Sequence, residues 1–466
     1  MLEKIRQYMQ AHRDEIVRDL GKLISYPSVI SAPEAHAPFG PESARCLAAC
    51  VELYRSYGFT VEHNIDSGYA FCRFGAPEGD YVGIFGHSDV VPVTPEDWSL
   101  TTPFAMLEKD GVVYGRGVSD NKEAVIASLY LLRALRDLNI PLKHALGVFI
   151  GSNEEAGMDD IARFVQEMPL PAVSLVPDSG FPYSLGERGI VRLNVTGTKP
   201  VHAILSLHGG QNYNTLLPLL RCEVRRTPEL ADYLAARSCD WLQVDDTAET
   251  FILTVSGIAA HAAHPENGLS ALKRLADLLS PVLPGDDREQ LAFIAHALTG
   301  SDGQPLGIND SDPILGDLTC ANGMVWMQDG CITFTLDIRH GTTTNAQRII
   351  GGVTHAAACA GFTVDVHHTA RAFTVPADAQ LTRAVHRAYC EAAGADDCQP
   401  FYMRGGTYCK YLPNAYATGT QLNAVRPQLP AGHGGAHQAD ECLVVDAYLD
   451  GMAVLAHMAL TLDGEI

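Results

Sequence analysis

The sequence predicts an α/β fold: an open sheet flanked by helices, with a second, α+β region inserted into the chain. Three observations carry that prediction. Apolar runs of strand length at 81–85, 144–153 and 173–176 lead directly into polar residues able to do chemistry, which is where open α/β sheets carry their sites. Helical patterns at about 1–25, 42–57 and 124–138 separate the runs. Between about 186 and 374 the chain changes character and holds no cluster of candidate ligands, and 466 residues are too many for one ordinary domain.

Composition narrows the function classes. A chain that is 47% hydrophobic and 19% charged suits a globular protein with a large core. The net charge of −22 argues against nucleic acid, whose phosphates require clustered Lys and Arg, and against an anionic membrane surface. Residues 1–8 are charged and amphipathic rather than a secretory signal, and no run of about 18 apolar residues reads as a membrane span. A cytoplasmic protein with no nucleic-acid or membrane partner is expected. The 12 cysteines are scattered without a C-x-x-C pair, and they read as mostly buried thiols rather than as disulfides or a zinc knuckle.

In chain order, Ile5, Tyr8, Met9, Ile16, Leu20, Leu23 and Ile24 form the apolar stripe of the first helix, which Pro27 ends. Pro33, Pro38 and Pro41 mark a loop, and Gly58 stands where a helix usually stops. The stretch 59–74 reads as a strand pair. The central run then leads through Gly86 into His87-Ser88-Asp89, so an imidazole and a carboxylate leave an extended segment on one side. Such a pair is either a buried hydrogen-bonded histidine or a metal ligand oriented by its carboxylate.

In Gly115-Arg116-Gly117-Val118-Ser119-Asp120-Asn121-Lys122 the glycines suit a tight path. Asp120, just before the helix at 124–138, has the position of an N-cap. The strand at 144–153 ends in Glu154-Glu155, where one carboxylate can ligate a metal while the other handles a proton. The run at 173–176 ends in Pro177-Asp178. Far along the chain, His433-Gly434-Gly435-Ala436-His437-Gln438-Ala439-Asp440-Glu441 precedes the last helix.

Together these pieces resemble the M20 family of metallopeptidases, the zinc-dependent di-metal exopeptidases and deacylases, and within it the PepV-type dipeptidases. The matching motifs are G-H-S-D at 86–89, G-R-G-V-S-D-N-K at 115–122, E-E at 154–155, P-D-S-G at 177–180, G-G-T-Y at 405–408 and A-H-Q-A-D-E at 436–441. They keep the family's order along nearly the whole chain. The resemblance implies a zinc-exopeptidase-like α/β/α catalytic domain built from 1–185 and 375–466. It also implies an inserted α+β lid at 186–374, ferredoxin-like and long enough to be doubled, as in the PepV group.

The resemblance further implies two divalent metal ions, zinc, with Mn or Co as alternatives. His87 and Asp178 would hold one and Glu155 and His437 the other, with Asp120 bridging and Asp89 orienting His87. Glu154 would be the general base, taking a proton from the metal-bridging water and passing it to the leaving amine. A cis peptide is expected between Asp120 and Asn121. In the lid, His261 of Gly257-Ile258-Ala259-Ala260-His261 corresponds to a family histidine that reaches the metal site, in preference to nearby His264. Asn214 resembles an asparagine that helps hold the substrate, with Asn212 as the alternative register. Arg339 resembles the arginine that grips the substrate's terminal carboxylate, a task its fork suits. Gly405, Gly406 and Thr407 join the implied substrate-binding set.

Two stretches depart from the pattern. Asn121-Lys122-Glu123 follow Asp120 where the family often has Asp-Lys-Gly, and Lys410 stands where PepV-type proteins tend to carry Arg. Neither is an implied ligand. The expected activity is hydrolysis of dipeptides or short unblocked peptides. The expected form is a monomer, its long lid taking the place that a dimer partner fills in single-lid members. N-acyl amino acid hydrolysis is the rival within the family. A non-catalytic binding protein on the same scaffold is the rival outside it, but that predicts a lost ligand or base, and none is lost.

Overall fold

Val82–His87, a strand with every residue buried, is the centre of the first of two compact units. The computed structural model describes residues 1–237 and 239–466. The first unit comprises Met1–Leu185, Val375–Phe401 and Thr407–Ile466; the second comprises Gly186–Thr374 and Tyr402–Gly406. Tyr402–Gly406 lies inside the stretch expected to belong with the catalytic half, yet it groups with the second unit.

In the first unit the central strand pairs in parallel with Ala145–Gly151 on one side and Val173–Val176 on the other. Ala415–Ala417 extends the parallel part beyond Val173–Val176. Tyr69–Gly75 and Glu62–Asn64 close the opposite edge in antiparallel. Strands covered on both faces read as continuous apolar runs, which is why these segments were legible as such. Helices Pro41–Ser56, Lys122–Asp137, Gln380–Ala393 and Val445–Glu465 pack their apolar faces into the same core. The helical pattern at 1–25 is two helices, Leu2–Ala11 and Arg13–Ile24, meeting at His12. Val445–Glu465 is long and apolar enough to cross a membrane by length and composition. Met452, Ala453, Val454, Leu455 and Ala456 are all buried in this unit's core, and the helix's apolar character serves that packing.

The second unit is built on one nine-stranded sheet. Its strands run in the order Leu242–Asp246, Thr250–Ser256, Leu219–Arg225, Ile204–Gly209, Val325–Gln328, Cys331–His340, Gly189–Gly197 and Phe362–Ala370, with Thr319–Ala321 pairing beside Cys331–His340. Neighbouring strands are antiparallel. Helices Pro228–Ala235, Ala271–Leu279, Gly285–Ala297 and Ala346–Cys359 share its core. This is an α/β unit with an inserted α+β unit, the fold class read from the sequence.

At the carboxyl end of the first unit's sheet, the buried Asp160 carboxylate accepts from the amides of Ser152 (2.7 Å) and Asn153 (2.9 Å) and from the Tyr408 hydroxyl (2.6 Å). Gly151 makes room for this arrangement, since a Cβ there would lie 2.0 Å from Tyr408 Oη and 2.3 Å from Asp160 Oδ2. Gly151→Ala is therefore expected to destabilise the protein by about 1–3 kcal/mol through overpacking. Urea unfolding measures it; an unchanged midpoint would mean that Tyr408 and Asp160 give way without cost.

Candidate metal centre

Parallel strands put their carboxyl ends on one side, and three of them in the first unit deliver His87 and Asp89, Glu154 and Glu155, and Asp178. Asp120 enters from the start of helix Lys122–Asp137, and His437 from the loop before the last helix. One ligand atom each from His87, Asp120 and Asp178 lies within 4.8 Å of the others, and the same holds for Asp120, Glu155 and His437. Asp120 is shared, one oxygen to each group. Its Oδ1 is 3.3 Å from His87 Nε2 and its Oδ2 is 3.0 Å from His437 Nε2. Asp178 Oδ1 lies 3.7 Å from His87 Nε2, and Glu155 Oε1 lies 2.9 Å from His437 Nε2.

The fully buried His87 donates from Nδ1 to the backbone carbonyl of Asp89 at 3.0 Å, with the Asp89 carboxylate 3.4 Å away. That leaves Nε2 as the ring atom able to hold an ion, and this buried nitrogen has no hydrogen bond. The Asp89 side chain does a second job that motif reading did not foresee. Its two oxygens accept the amide N–H groups of Glu154 and Glu155, each at 3.1 Å. Glu154 is buried, and its Oε1 also lacks a hydrogen-bond partner.

The charges of the cluster call for cations. Burial, then the Asp178 carboxylate, pushes the Glu154 carboxyl well above its ordinary value. Burial, then Asp120, raises Glu155, and burial lifts Asp178 to about 7 against the pull of His87. Burial opposes a charged imidazole, yet Glu155 and Asp120 push His437 up to about 11, and Asp120, Asp178 and Asp89 raise His87. Carboxylates that raise both imidazoles are asking for positive charge, which divalent ions would supply. Imidazole nitrogen and carboxylate oxygen are zinc-type donors, and two ligands of one tetrahedral zinc-type ion lie about 3.4 Å apart. The N–O separations here bracket that value, so the residues fit a pair of such ions.

Several bracing residues were not singled out from the sequence. Asn121 accepts the His87 amide on Oδ1 (3.1 Å) and donates from Nδ2 to the Pro177 carbonyl (2.7 Å), joining three motif segments. The helix N-cap is this residue rather than Asp120, and its side chain makes no capping bond. The peptide between Asp120 and Asn121 is cis. Glu441 accepts from the amides of Gly117 and Ser119 and from the Arg116 guanidinium (2.7 Å), and so holds the loop that delivers Asp120. Asp440 takes the amides of Ser99 and Leu100 and the His433 ring. Nearby, His437 adopts a positive φ of 63°, a conformation that non-glycine residues reach mainly where surroundings enforce it.

The remaining expected residues divide between the units. Thr407, in the first, caps the short helical turn Tyr408–Tyr411 by accepting the Cys409 amide. Gly405 and Gly406 belong to the second. There the structure brings Asn214 and His261 together: the Asn214 carbonyl accepts the Ala262 amide (2.8 Å), and Thr215 bridges to His261. His261 Nδ1 accepts the Ala263 amide (3.1 Å). His264 sits instead with Glu266 and Arg404. The buried Arg339 forks onto Asp337, at 2.5 Å from Nε and 3.0 Å from Nη2.

Comparison with known proteins is consistent with this picture. The family model described as Peptidase family M20/M25/M40 matches residues 83–461. A protein named "Putative dipeptidase" from Staphylococcus aureus (strain MRSA252) is 26% identical over 440 residues, 90% of this chain and 92% of its own. "Putative dipeptidase YtjP" of Bacillus subtilis (strain 168) is 25% identical over 461 residues, 95% of this chain and 96% of its own. Human carnosine dipeptidase 1 shares the fold with a TM-score of 0.61 at 17% identity, covering 100% of each chain.

Asn121→Ala would leave a buried amide and a buried carbonyl without partners beside His87 and Asp178. Outer-shell losses of this kind weaken metal affinity by about 10–100-fold. Competition with a chelating dye for added zinc should show that loss, and an unchanged affinity would mean that His87 is held without Asn121.

Proposed function

The chain belongs to peptidase family M20/M25/M40, and on that premise we propose that it hydrolyses the peptide bond of dipeptides or short unblocked peptides at a pair of zinc-type divalent ions. One observation carries the proposal: the two oxygens of Asp120 face two different imidazoles, at 3.3 and 3.0 Å, as a bridging carboxylate must. The dipeptidase names of relatives aligned over at least 90% of this chain support the substrate class.

In this reading His87 and Asp178 hold one ion, Glu155 and His437 the other, and Asp120 both, with Mn or Co as substitutes for Zn. When bound, the ions supply Lewis-acid polarisation of the scissile carbonyl and lower the pKa of water. The chain's own residues do the rest. Glu154 takes a proton from the attacking water and delivers it to the nitrogen of the leaving amine. Its burial and its elevated carboxyl suit a group that must hold that proton between the two steps. Asp89, by accepting the Glu154 amide, keeps the base in place.

The second unit serves as the lid. Because His261 Nδ1 accepts an amide proton, the neutral ring carries its own proton on Nε2 and is a donor suited to a developing oxyanion. Arg339, its fork steadied by Asp337, turns its other N–H groups to the substrate carboxylate. Asn214, Gly405, Gly406 and Thr407 complete the substrate-binding set.

A panel of dipeptides and N-acetyl amino acids, run on metal-stripped protein with each metal added back, tests the activity; turnover of the acyl compounds alone would make the protein a deacylase. Elemental analysis should find close to two ions per chain, and Asp120→Ala should lose both. Glu154→Gln should keep the metals and lower turnover by about 10²–10⁴-fold. Near-normal turnover would put the base elsewhere.

The proposal includes a monomer in which His261 works on its own chain's site. His261→Ala should lower turnover by about 10²–10³-fold and leave metal content and solution mass unchanged. Mixed with Glu154→Gln it should remain inactive. Recovery of activity in the mixture would mean that the histidine acts across a dimer.

A further inference from the structure

Outside the metal centre, the first unit gathers one other set of metal-type donors. His386 and Cys390 stand one turn apart on helix Gln380–Ala393, so their side chains share a face. Gly394 ends the helix in the left-handed region, the Ala395 amide returns to the Cys390 carbonyl (3.0 Å), and the chain turns so that Cys398 meets the same face. One ligand atom each from His386, Cys390 and Cys398 lies within 4.8 Å of the others. Cys398 Sγ is 3.3 Å from His386 Nδ1, and Cys390 Sγ is 3.7 Å from Nε2. All three side chains are half-buried.

We propose that His386, Cys390 and Cys398 form a further cation site, for one zinc-type ion, with the Asp397 carboxylate or water in the fourth position. Two thiolates and an imidazole are a zinc ligand set, and a sulfur and a nitrogen bound to one tetrahedral zinc lie about 3.5 Å apart; one ring nitrogen would hold the ion, with one sulfur at 3.3 or 3.7 Å from it and the three ligand atoms within 4.8 Å of one another. Both ring nitrogens also have the partner a ligating imidazole needs on its far side. Tyr183 Oη is 3.1 Å from Nδ1 and Asp397 Oδ1 is 3.3 Å from Nε2: an ion on Nε2 leaves Nδ1 to the tyrosine and Asp397 available as fourth ligand, whereas an ion on Nδ1 leaves Nε2 to Asp397 and the fourth position to water. Packed thiols alone would require neither the histidine between them nor a carboxylate beside it. The ion's role is structural: it ties the second half of helix Gln380–Ala393 to the loop 394–400, and the helix carries Val385 and Ala388 into the core.

Cobalt distinguishes this site from the catalytic one, because the proposed catalytic ligands are all nitrogen and oxygen. Full-length reduced protein titrated with Co²⁺ should develop thiolate-to-cobalt charge-transfer absorption in the near ultraviolet that saturates at one equivalent of this site. The band should persist in Asp120→Ala and disappear in Cys390→Ser/Cys398→Ser. His386→Ala, which keeps both thiols, should weaken Co²⁺ binding at the band by at least tenfold. Absence of the band from reduced wild-type protein, or its survival in the double cysteine variant, would overturn the proposal. So would wild-type affinity in His386→Ala.

Discussion

Asp89 is the constraint on which the metal centre depends. Its carboxylate is fully buried, and a buried charge costs several kcal/mol unless it is paired and hydrogen-bonded. Its hydrogen-bond donors are the amides of Glu154 and Glu155, and the His87 ring, which donates to the Asp89 backbone carbonyl, lies 3.4 Å from the carboxylate. They come from the ends of two neighbouring strands. Folding therefore cannot bury Asp89 without also setting the distance between His87 and the glutamate pair. Two candidate ligands and the proposed base are positioned around one carboxylate.

The same device recurs around the site. Loops after strand ends have no ladder to take up their N–H groups, and buried donors left alone are costly. Asp160 takes those of Ser152 and Asn153, Glu441 those of Gly117 and Ser119, and Asp440 those of Ser99 and Leu100. Lys122 works in the opposite sense, donating from a fully buried ammonium to the carbonyls of Leu23 and Tyr26. Glu441, Asp440 and Lys122 each join backbone far from them in sequence, and Asp160 joins the end of the strand just before its own helix. The irregular segments that carry the candidate ligands thus have their backbone groups hydrogen-bonded by side chains, without being strands.

That pattern explains what was legible in the sequence. The buried strands and the long helices announced themselves by apolar runs and stripes, and the six motifs by their order. The break at His12 did not, because the apolar stripe continues across it. In the second unit, Leu242–Asp246 has mostly exposed side chains, and the buried face of Gly285–Ala297 mixes Asp287 and Gln290 with Leu291, Phe293, Ile294 and Ala297, so neither carries a clear apolar period to read. Asn121 and Glu441 were invisible for a deeper reason: a side chain that bonds backbone tens or hundreds of positions away leaves no local signature. Asp120 looked like a helix cap because the rule for caps is local. Its neighbour Asn121 holds the N-cap position, with a side chain engaged elsewhere. The cluster at His386 escaped for both reasons at once, since its third donor arrives from a loop and no C-x-x-C pair flags it.

In the proposed function, chemistry and specificity fall to different parts of this chain. The seven residues from His87 to His437 all lie in the first unit, and nothing in such a set distinguishes one amide from another. Polarising a carbonyl and moving a proton serve a dipeptide and an acylated amino acid equally well. Selection needs a group that senses what lies beside the scissile bond, and the second unit holds candidates of the right kind. Arg339 is the clearest. An arginine meant for a free carboxylate loses least on binding if its fork is already oriented. Asp337 provides that orientation, and against its burial Arg339 first and then Arg192, 3.0 Å from the same carboxylate, hold the Asp337 carboxyl below its ordinary value. Arg192, Asp337 and Arg339 form a pair of cations around one anion, and the surplus positive charge of the triad is what a substrate's terminal carboxylate would neutralise. A substrate with no such carboxylate would leave that charge uncompensated, so in the proposed reading the triad selects free C-termini, which dipeptides and N-acyl amino acids share, and the choice between those two falls to whatever meets the amino side of the scissile bond.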